Sequence, residues 1–429
     1  MIRWRGGAAG DGQFEPSQTR SDLVLSAAGT LTRCLVQHRL AAFHQASTSN
    51  LEQAVQQEIS EPTVAPDSQR IVSIDALRGF DMFWIVGGTS LVSTLLPFCG
   101  ESAQKILRPQ LEHAAWEGFT FTDLIFPLFV FMVGMSTVFS LTKALTHQGK
   151  AGAYRRILRR APVLFLLGIY YSHGLSHCWP DVRLMGVLQR IALCYLFTGV
   201  LSIHFRTRGM LIAAVLLLGG YWAWLSFVPV PGVGGVSFEP GKNWSNYLDA
   251  RFLPGLKYDG TWDPEGYFST LPAIATCILG ALAAQLLRNQ RLSQAAKVGC
   301  LIGGGALLLA LGYAWGTQFP IIKKIWTSSY VLVAGGYSCI LTGFFYLIID
   351  VWKLHRWAIP FLWIGTNAIA VYMLPNMVPL HELAQRLVGG DVQVMVGPSF
   401  GQLLLTAVAL GYVLIVAWFL HRNKIMLRV

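Results

Sequence analysis

One stretch of the chain gathers the side chains of acid–base and acyl-transfer chemistry within a dozen residues: Glu112-His113-Ala-Ala-Trp116-Glu117-Gly-Phe-Thr120-Phe-Thr-Asp123. An imidazole can act as general base or as nucleophile, and a carboxylate nearby can fix its tautomer and raise its basicity. On its own a loop histidine is more often a solvated residue than a catalyst, but the company it keeps makes His113 the first catalytic candidate and Asp123 its expected partner. A second cluster is Ser73-Ile-Asp75-Ala-Leu-Arg78-Gly-Phe-Asp81, in which Asp75 and Arg78 share a helix face and are placed to pair. Arg78 reads either as half of an interfacial ion pair or as a contact for an anionic ligand. In Arg183-Leu-Met-Gly-Val-Leu-Gln189-Arg190 the second arginine falls inside an apolar tract. It must find an anion, whether Asp123, another carboxylate or a ligand phosphate. Asp263-Pro-Glu265-Gly suits a helix start, and Asn367 interrupts another apolar tract as a candidate hydrogen-bonding group.

The elements that carry these groups are apolar. Of 429 residues, 53% are hydrophobic and 13% charged, where an ordinary soluble domain carries roughly 25% charge. The mean hydropathy is +0.48. Disorder, a collagen-like chain and a small disulfide scaffold are excluded, and the composition predicts an all-α, polytopic membrane protein. About ten spans are expected, near 77–98, 119–144, 158–176, 185–205, 209–229, 268–288, 297–316, 329–351, 357–378 and 401–421. The net charge of +11 does not gather on one polar face, so nucleic acid is not an expected partner. It sits in connectors such as Arg155, Arg156, Arg159 and Arg160, or Arg206 and Arg208, while acids collect in the alternate ones. By the positive-inside rule both termini are cytoplasmic and the loops 99–118, 230–267 and 379–400 face outward. Residues 1–69 contain no spanning tract and read as a cytoplasmic, mostly disordered leader ahead of a transmembrane domain over 70–429. Seven cysteines form no CxxC pair; Cys99 and Cys178 fall in outer connectors, which leaves a bridge between them open. His173 and His177 have a zinc-compatible spacing without a further ligand, so no metal site is expected.

Taken in order, these clusters resemble the heparan-α-glucosaminide N-acetyltransferase family and its bacterial relatives. The matching stretches are Ser73–Gly79, His113–Gly118, Asp123–Phe131, Arg183–Arg190, Asp263–Gly266 and Trp326–Tyr330. The resemblance spans about residues 70–425, without the luminal N-terminal domain of the eukaryotic form. It implies transfer of acetyl from cytosolic acetyl-CoA, across a membrane, to the amine of a glucosamine-type sugar at the outer face. The family's active-site histidine falls on His113. Asp123 would orient the imidazole, and Arg78, Arg155, Arg156, Arg190 and Asn367 are the expected acetyl-CoA contacts. Arg190 or Asn367 would also meet the thioester oxyanion. Trp116, Glu117 and Glu265 are the expected contacts of the acceptor. A bacterial inner-membrane location and a homodimer are consistent with this reading. The alternative is an amino-sugar or small-solute transporter whose intramembrane charges line a path.

Overall fold

Spans rich in Leu, Val, Ile, Phe and Gly must satisfy every backbone group internally if they enter a bilayer, which favours helices. The computed structural model describes residues 71–427 apart from His173, Leu175, His177, Trp179 and Pro180. The expected leader and the His173/His177 pair lie outside the described residues. Among those described there are helices and three isolated bridges but no strand, so the chain is all-α.

The first span comprises α1 (Val72–Phe83), a π-turn (Trp84–Gly88) and α2 (Thr89–Leu95), followed by an outer helix α3 (Glu101–Leu111). Next come α4 (Phe121–Tyr171), α5 (Val187–His204), α6 (Thr207–Phe227) and a loop helix α7 (Trp244–Phe252). The second half holds α8 (Thr270–Arg288), α9 (Gln294–Gly316) and α10 (Ser328–Phe345). It ends with α11 (Ile359–Thr366), α12 (Ala368–Met377), two short helices α13 (Leu380–Val388) and α14 (Asp391–Val396), and α15 (Pro398–Arg422).

Among the described residues eight helical runs are long and apolar enough to cross a membrane, or nine if the bent pair Arg356–Thr366 with Ala368–Met377, at 69°, is one span. The 51-residue α4 is itself two passages. Gly149 breaks it at φ 66°, a left-handed conformation that glycine adopts without strain. Beyond the break the chain runs back on itself, because Arg156 Nη1 donates to Ser140 O at 3.0 Å. In a straight helix those residues would stand about 24 Å apart. The two arms correspond in position to the second and third expected spans. The first span starts earlier than its hydropathy suggests, at Val72, so Asp75 and Arg78 lie inside the helix.

The N-terminus of α1 has no local side-chain cap. Asp350 supplies one from elsewhere, accepting from Val72 N at 3.2 Å and Ser73 N at 3.0 Å, where a carboxylate also meets the positive end of the helix. Close backbone approach fixes the neighbours. A Cβ at Gly79 would run into the carbonyl of Phe361 and one at Gly365 into that of Asp75, and Gly134 and Gly280 play the same part between α4 and α8. Small residues at such crossings are how membrane helices gain packing contact.

Candidate active site

His113 leaves the end of α3 in a loop that returns into α4, and Asp123 occupies the third position of that helix. Thr120 caps the helix and Asp123 reaches back to the cap, the reciprocal arrangement called a capping box. Asp123 is fully buried yet well supplied with donors. Its Oδ2 accepts from Thr120 N at 3.2 Å, Thr120 Oγ1 at 3.0 Å and Ala114 N at 3.1 Å. Its Oδ1 faces His113 Nδ1 at 2.8 Å. A carboxylate accepts, so Nδ1 carries the proton and Nε2 presents its lone pair. The imidazole is 57% exposed, and Lys323 Nζ stands 3.4 Å from Nε2. The bond to Ala114 N pins the loop beside the imidazole, which fixes its direction as well as its tautomer.

A third ionisable group completes the site. Lys323 Nζ lies 3.2 Å from Asp123 Oδ1 and 2.9 Å from His113 Nδ1. Nδ1 cannot donate to the carboxylate and accept from the ammonium at once, so the Lys323 proton belongs to Asp123. Burial pushes the Lys323 ammonium pKa down, against the pull of Asp123. Lys323 arrives by loop pairing: Gly118 N donates to Ile321 O at 2.9 Å, and Glu117 and Ile322 form an antiparallel bridge. Tyr330 of α10 then donates to the Asp123 carbonyl at 2.8 Å. The residues before Tyr330 are held under strain, since the buried Trp326 takes φ 53°, a region that bulky side chains rarely enter. Sequence reasoning passed over Lys323. The available signal was the pair Lys323-Lys324, an isolated basic patch on the side where acids prevail.

Beside this triad, Arg183 grips Asp263 through two bonds of 2.8 Å and Glu265 through one more of 2.8 Å. Burial would raise Asp263, but the bonds from Arg183 hold its carboxyl below the usual range. For Glu265 burial wins and its pKa is raised, even with the Arg190 and Arg183 charges opposing. The Glu265 charge also reaches Lys323, so this acceptor candidate borders the triad. Trp116 instead ties loops together: its Nε1 donates to Phe238 O at 2.9 Å, and its ring meets Trp262 edge-on at 5.7 Å. Glu117 contributes the backbone bridge, with its residue exposed.

Arg190 does not pair with Asp123. It is fully buried at the start of α5, donating to Pro264 O at 2.7 Å and to Ser269 Oγ, with its guanidinium 4.8 Å from the Trp326 ring. Carbonyl and hydroxyl oxygens meet it directly, because the Asp263–Gly266 turn brings its backbone oxygens to the arginine, and the Glu265 carboxyl lies within reach of its charge. Asn367 is also occupied. Its Nδ2 donates to Ile425 O at 3.0 Å and its Oδ1 accepts from Leu427 N at 2.9 Å, so it anchors the C-terminal segment. Cys99 and Cys178 are free thiols, and no disulfide joins them.

At the other end, a seven-residue stretch of α4 receives three arginines. Arg78 donates to Ser136 Oγ at 2.7 Å, Arg156 to Ser140 Oγ at 2.9 Å, and Arg288 to Thr142 Oγ1. Arg78 also pairs with Asp75 at 3.1 Å, as expected from their spacing. Arg160 joins them, with its guanidinium 4.9 Å from the Tyr195 ring and its buried Nε unpaired. Arg155 stays exposed on the outer side of its helix turn. Gly365 O, 3.3 Å from Arg78 Nη1, puts the Asn367–Leu427 anchor at this same end. From Ser136 to Asp123 is 13 residues of helix, about 20 Å. The arginines and the imidazole thus lie at opposite ends of one arm of α4.

Residues 70–311 match the sequence profile of the family described as heparan-alpha-glucosaminide N-acetyltransferase, catalytic. Heparan-alpha-glucosaminide N-acetyltransferases of Mus musculus and Homo sapiens are each 27% identical to the chain over 321 residues, covering 61% of this chain and 48% of theirs. The chain spans about half the length of these curated relatives. His113, Asp123, Arg183, Arg190 and Glu265 all fall inside the matched region, which takes in more than half of the protein. The chain belongs to the heparan-alpha-glucosaminide N-acetyltransferase catalytic family.

Proposed function

We propose that the protein is a membrane-embedded acetyltransferase of a bacterial inner membrane, moving acetyl from cytosolic acetyl-CoA to the amine of a glucosamine-type sugar at the outer face. The observation that carries this reading is a half-exposed imidazole with a buried carboxylate on Nδ1. Family membership supports it. The separation of charge supports it too: phosphates of the donor suit the arginines on α4, while the thioester must reach the opposite end.

In the direct form of the reaction His113 Nε2 takes a proton from the sugar ammonium. The freed amine attacks the thioester carbon, a C–N bond forms, the C–S bond breaks, and the proton that the attacking nitrogen gives up in becoming an amide passes to the departing thiolate. In the two-step form Nε2 attacks the thioester first, the thiolate leaves, and the amine then displaces imidazole from the acetyl carbon. Asp123 stabilises the positive imidazole in either form. Lys323 is the cation nearest the reacting centre and takes the oxyanion role that the sequence assigned to Arg190 or Asn367. Glu265, held by Arg183 beside the triad, is the carboxylate assigned to the ammonium acceptor.

Purified protein in liposomes, supplied with labelled acetyl-CoA on the basic face and glucosamine on the other, tests the reading. Wild type transfers label to the sugar amine and His113→Ala, still folded, does not. Undiminished transfer by His113→Ala would remove the imidazole from the mechanism. Uptake of unmodified sugar without acetyl-CoA would identify a carrier instead.

A further inference from the structure

The first span holds a polar pair that the chemistry at His113 does not use. Asp81 is 1% exposed, and neither of its carboxyl oxygens has a hydrogen-bond partner. Three residues on, and so on the same helix face, the Trp84 indole Nε1 is buried and unpartnered as well. Ionisable groups within spans are expensive and mark functional positions, and a carboxyl with both oxygens unpaired is the most expensive form of one.

The position of the pair suggests what it serves. Arg78, one turn before Asp81, donates to Ser136 of α4. Trp84, one turn after, packs its ring edge-on against Phe121 of the same helix at 4.7 Å, two residues from Asp123. Asp81 thus lies between two contacts with α4, on the line from the arginines to the imidazole. The adjoining residues Met82 and Ile85 line a narrow apolar cleft with Phe126, Phe129 and Tyr372, with room of about 10 Å³, the size of one water. The helix itself opens here: Trp84–Gly88 is a π-turn, a distortion frequent at functional sites.

We infer that Asp81 and Trp84 Nε1 form a polar step inside the membrane that takes an amide of an acyl-pantetheine thioester, the carboxyl pairing with the amide N–H and the indole N–H with its carbonyl. The inference rests on the acetyl-transfer reading above. A thioester arm reaching His113 from the arginines is apolar except for its amides and one hydroxyl, and an amide drawn into an apolar cleft must find partners. The pair therefore selects donors that carry an amide near the thioester and rejects acyl donors that lack one, as sites built around a buried hydrogen bond do.

The test compares three acetyl donors: acetyl-CoA, S-acetyl-N-acetylcysteamine with one amide, and S-ethyl thioacetate with none. Wild type prefers the one-amide donor to the amide-free one by about tenfold or more in kcat/KM. Asp81→Leu reduces that preference to about twofold through KM, Asp81→Asn restores most of it, and Trp84→Phe falls between. Asp81→Leu also melts no lower than wild type, since it removes an unpaired buried carboxyl; should it fail to fold, Trp84→Phe carries the comparison. An unchanged preference in folded Asp81→Leu and in Trp84→Phe overturns this assignment while leaving acetyl transfer intact. Absence of transfer from every donor by wild type would instead overturn the acetyl-transfer reading itself.

Discussion

At the end of α4 that the positive-inside rule expects to face outward the ionisable groups face one another; at the end expected to face inward they face hydroxyls and rings. His113, Asp123 and Lys323 form a closed set, with a buried carboxylate between two cationic or basic groups. Arg183, Asp263 and Glu265 form another beside it. On the inner stretch, Arg78 has Asp75, but Arg156 and Arg288 bond to neutral hydroxyls and Arg160 stacks on a tyrosine. Neutral acceptors orient a guanidinium without cancelling its charge, so the inner end keeps a positive field while the outer end is electrically balanced and rigid. A balanced, rigid site suits bond making, where geometry must be fixed before reaction. An unbalanced one suits capture of a polyanion.

That contrast can be broken most severely at its outer pole. Asp123→Asn removes the charge that holds the imidazole and lowers kcat by about 10³-fold, by analogy with other carboxylate–histidine pairs. Single-turnover acetyl transfer checks it, and a loss below tenfold would mean that the loop alone orients His113. Lys323→Met is expected to lower kcat by about 10²-fold, the scale of a lost oxyanion contact. Lys323→Arg retains more activity because the charge persists; equal loss in both would assign Lys323 to packing. At the inner pole, Arg156→Ala and Arg160→Ala raise KM for acetyl-CoA by about tenfold each with kcat held, since each removes one charge-assisted contact. Rising ionic strength should mimic them in wild type.

The smallest effect sharpens the comparison within the outer loops. Asp249 is buried beneath Gly266 with Oδ2 unpaired, and burial raises its pKa to about 7. An unfolded aspartate loses its proton near pH 4, whereas the folded one keeps it until about pH 7. The folded state binds more protons across that window, so this group makes stability fall as pH rises from about 4 to 7. Asp249→Asn therefore removes the decline and raises Tm at pH 8 relative to wild type. Thermal unfolding at pH 5 and pH 8 checks the sign.

The sequence by itself determined the all-α, membrane-crossing character and the neighbourhood of the imidazole. Apolar tracts of spanning length leave helices as the economical way to satisfy the backbone, and ten residues separate His113 from Asp123, so a helix start is enough to join them. Asp75 with Arg78 was legible for the same reason: their separation is one helical turn. What only the tertiary structure decided are the contacts that loops and crossings create. Lys323 reaches His113 from 210 residues away because two outer loops pair through backbone bonds, to which any side chain is compatible. Arg190 looked to need an anion, and one turn brought both carbonyl oxygens and the Glu265 carboxyl towards it. Asn367 looked available, yet the C-terminal backbone occupies both ends of its amide. Side-chain type announces that a buried polar group must be satisfied; which backbone comes to satisfy it depends on how the helices cross, and spacing along the chain carries no record of that.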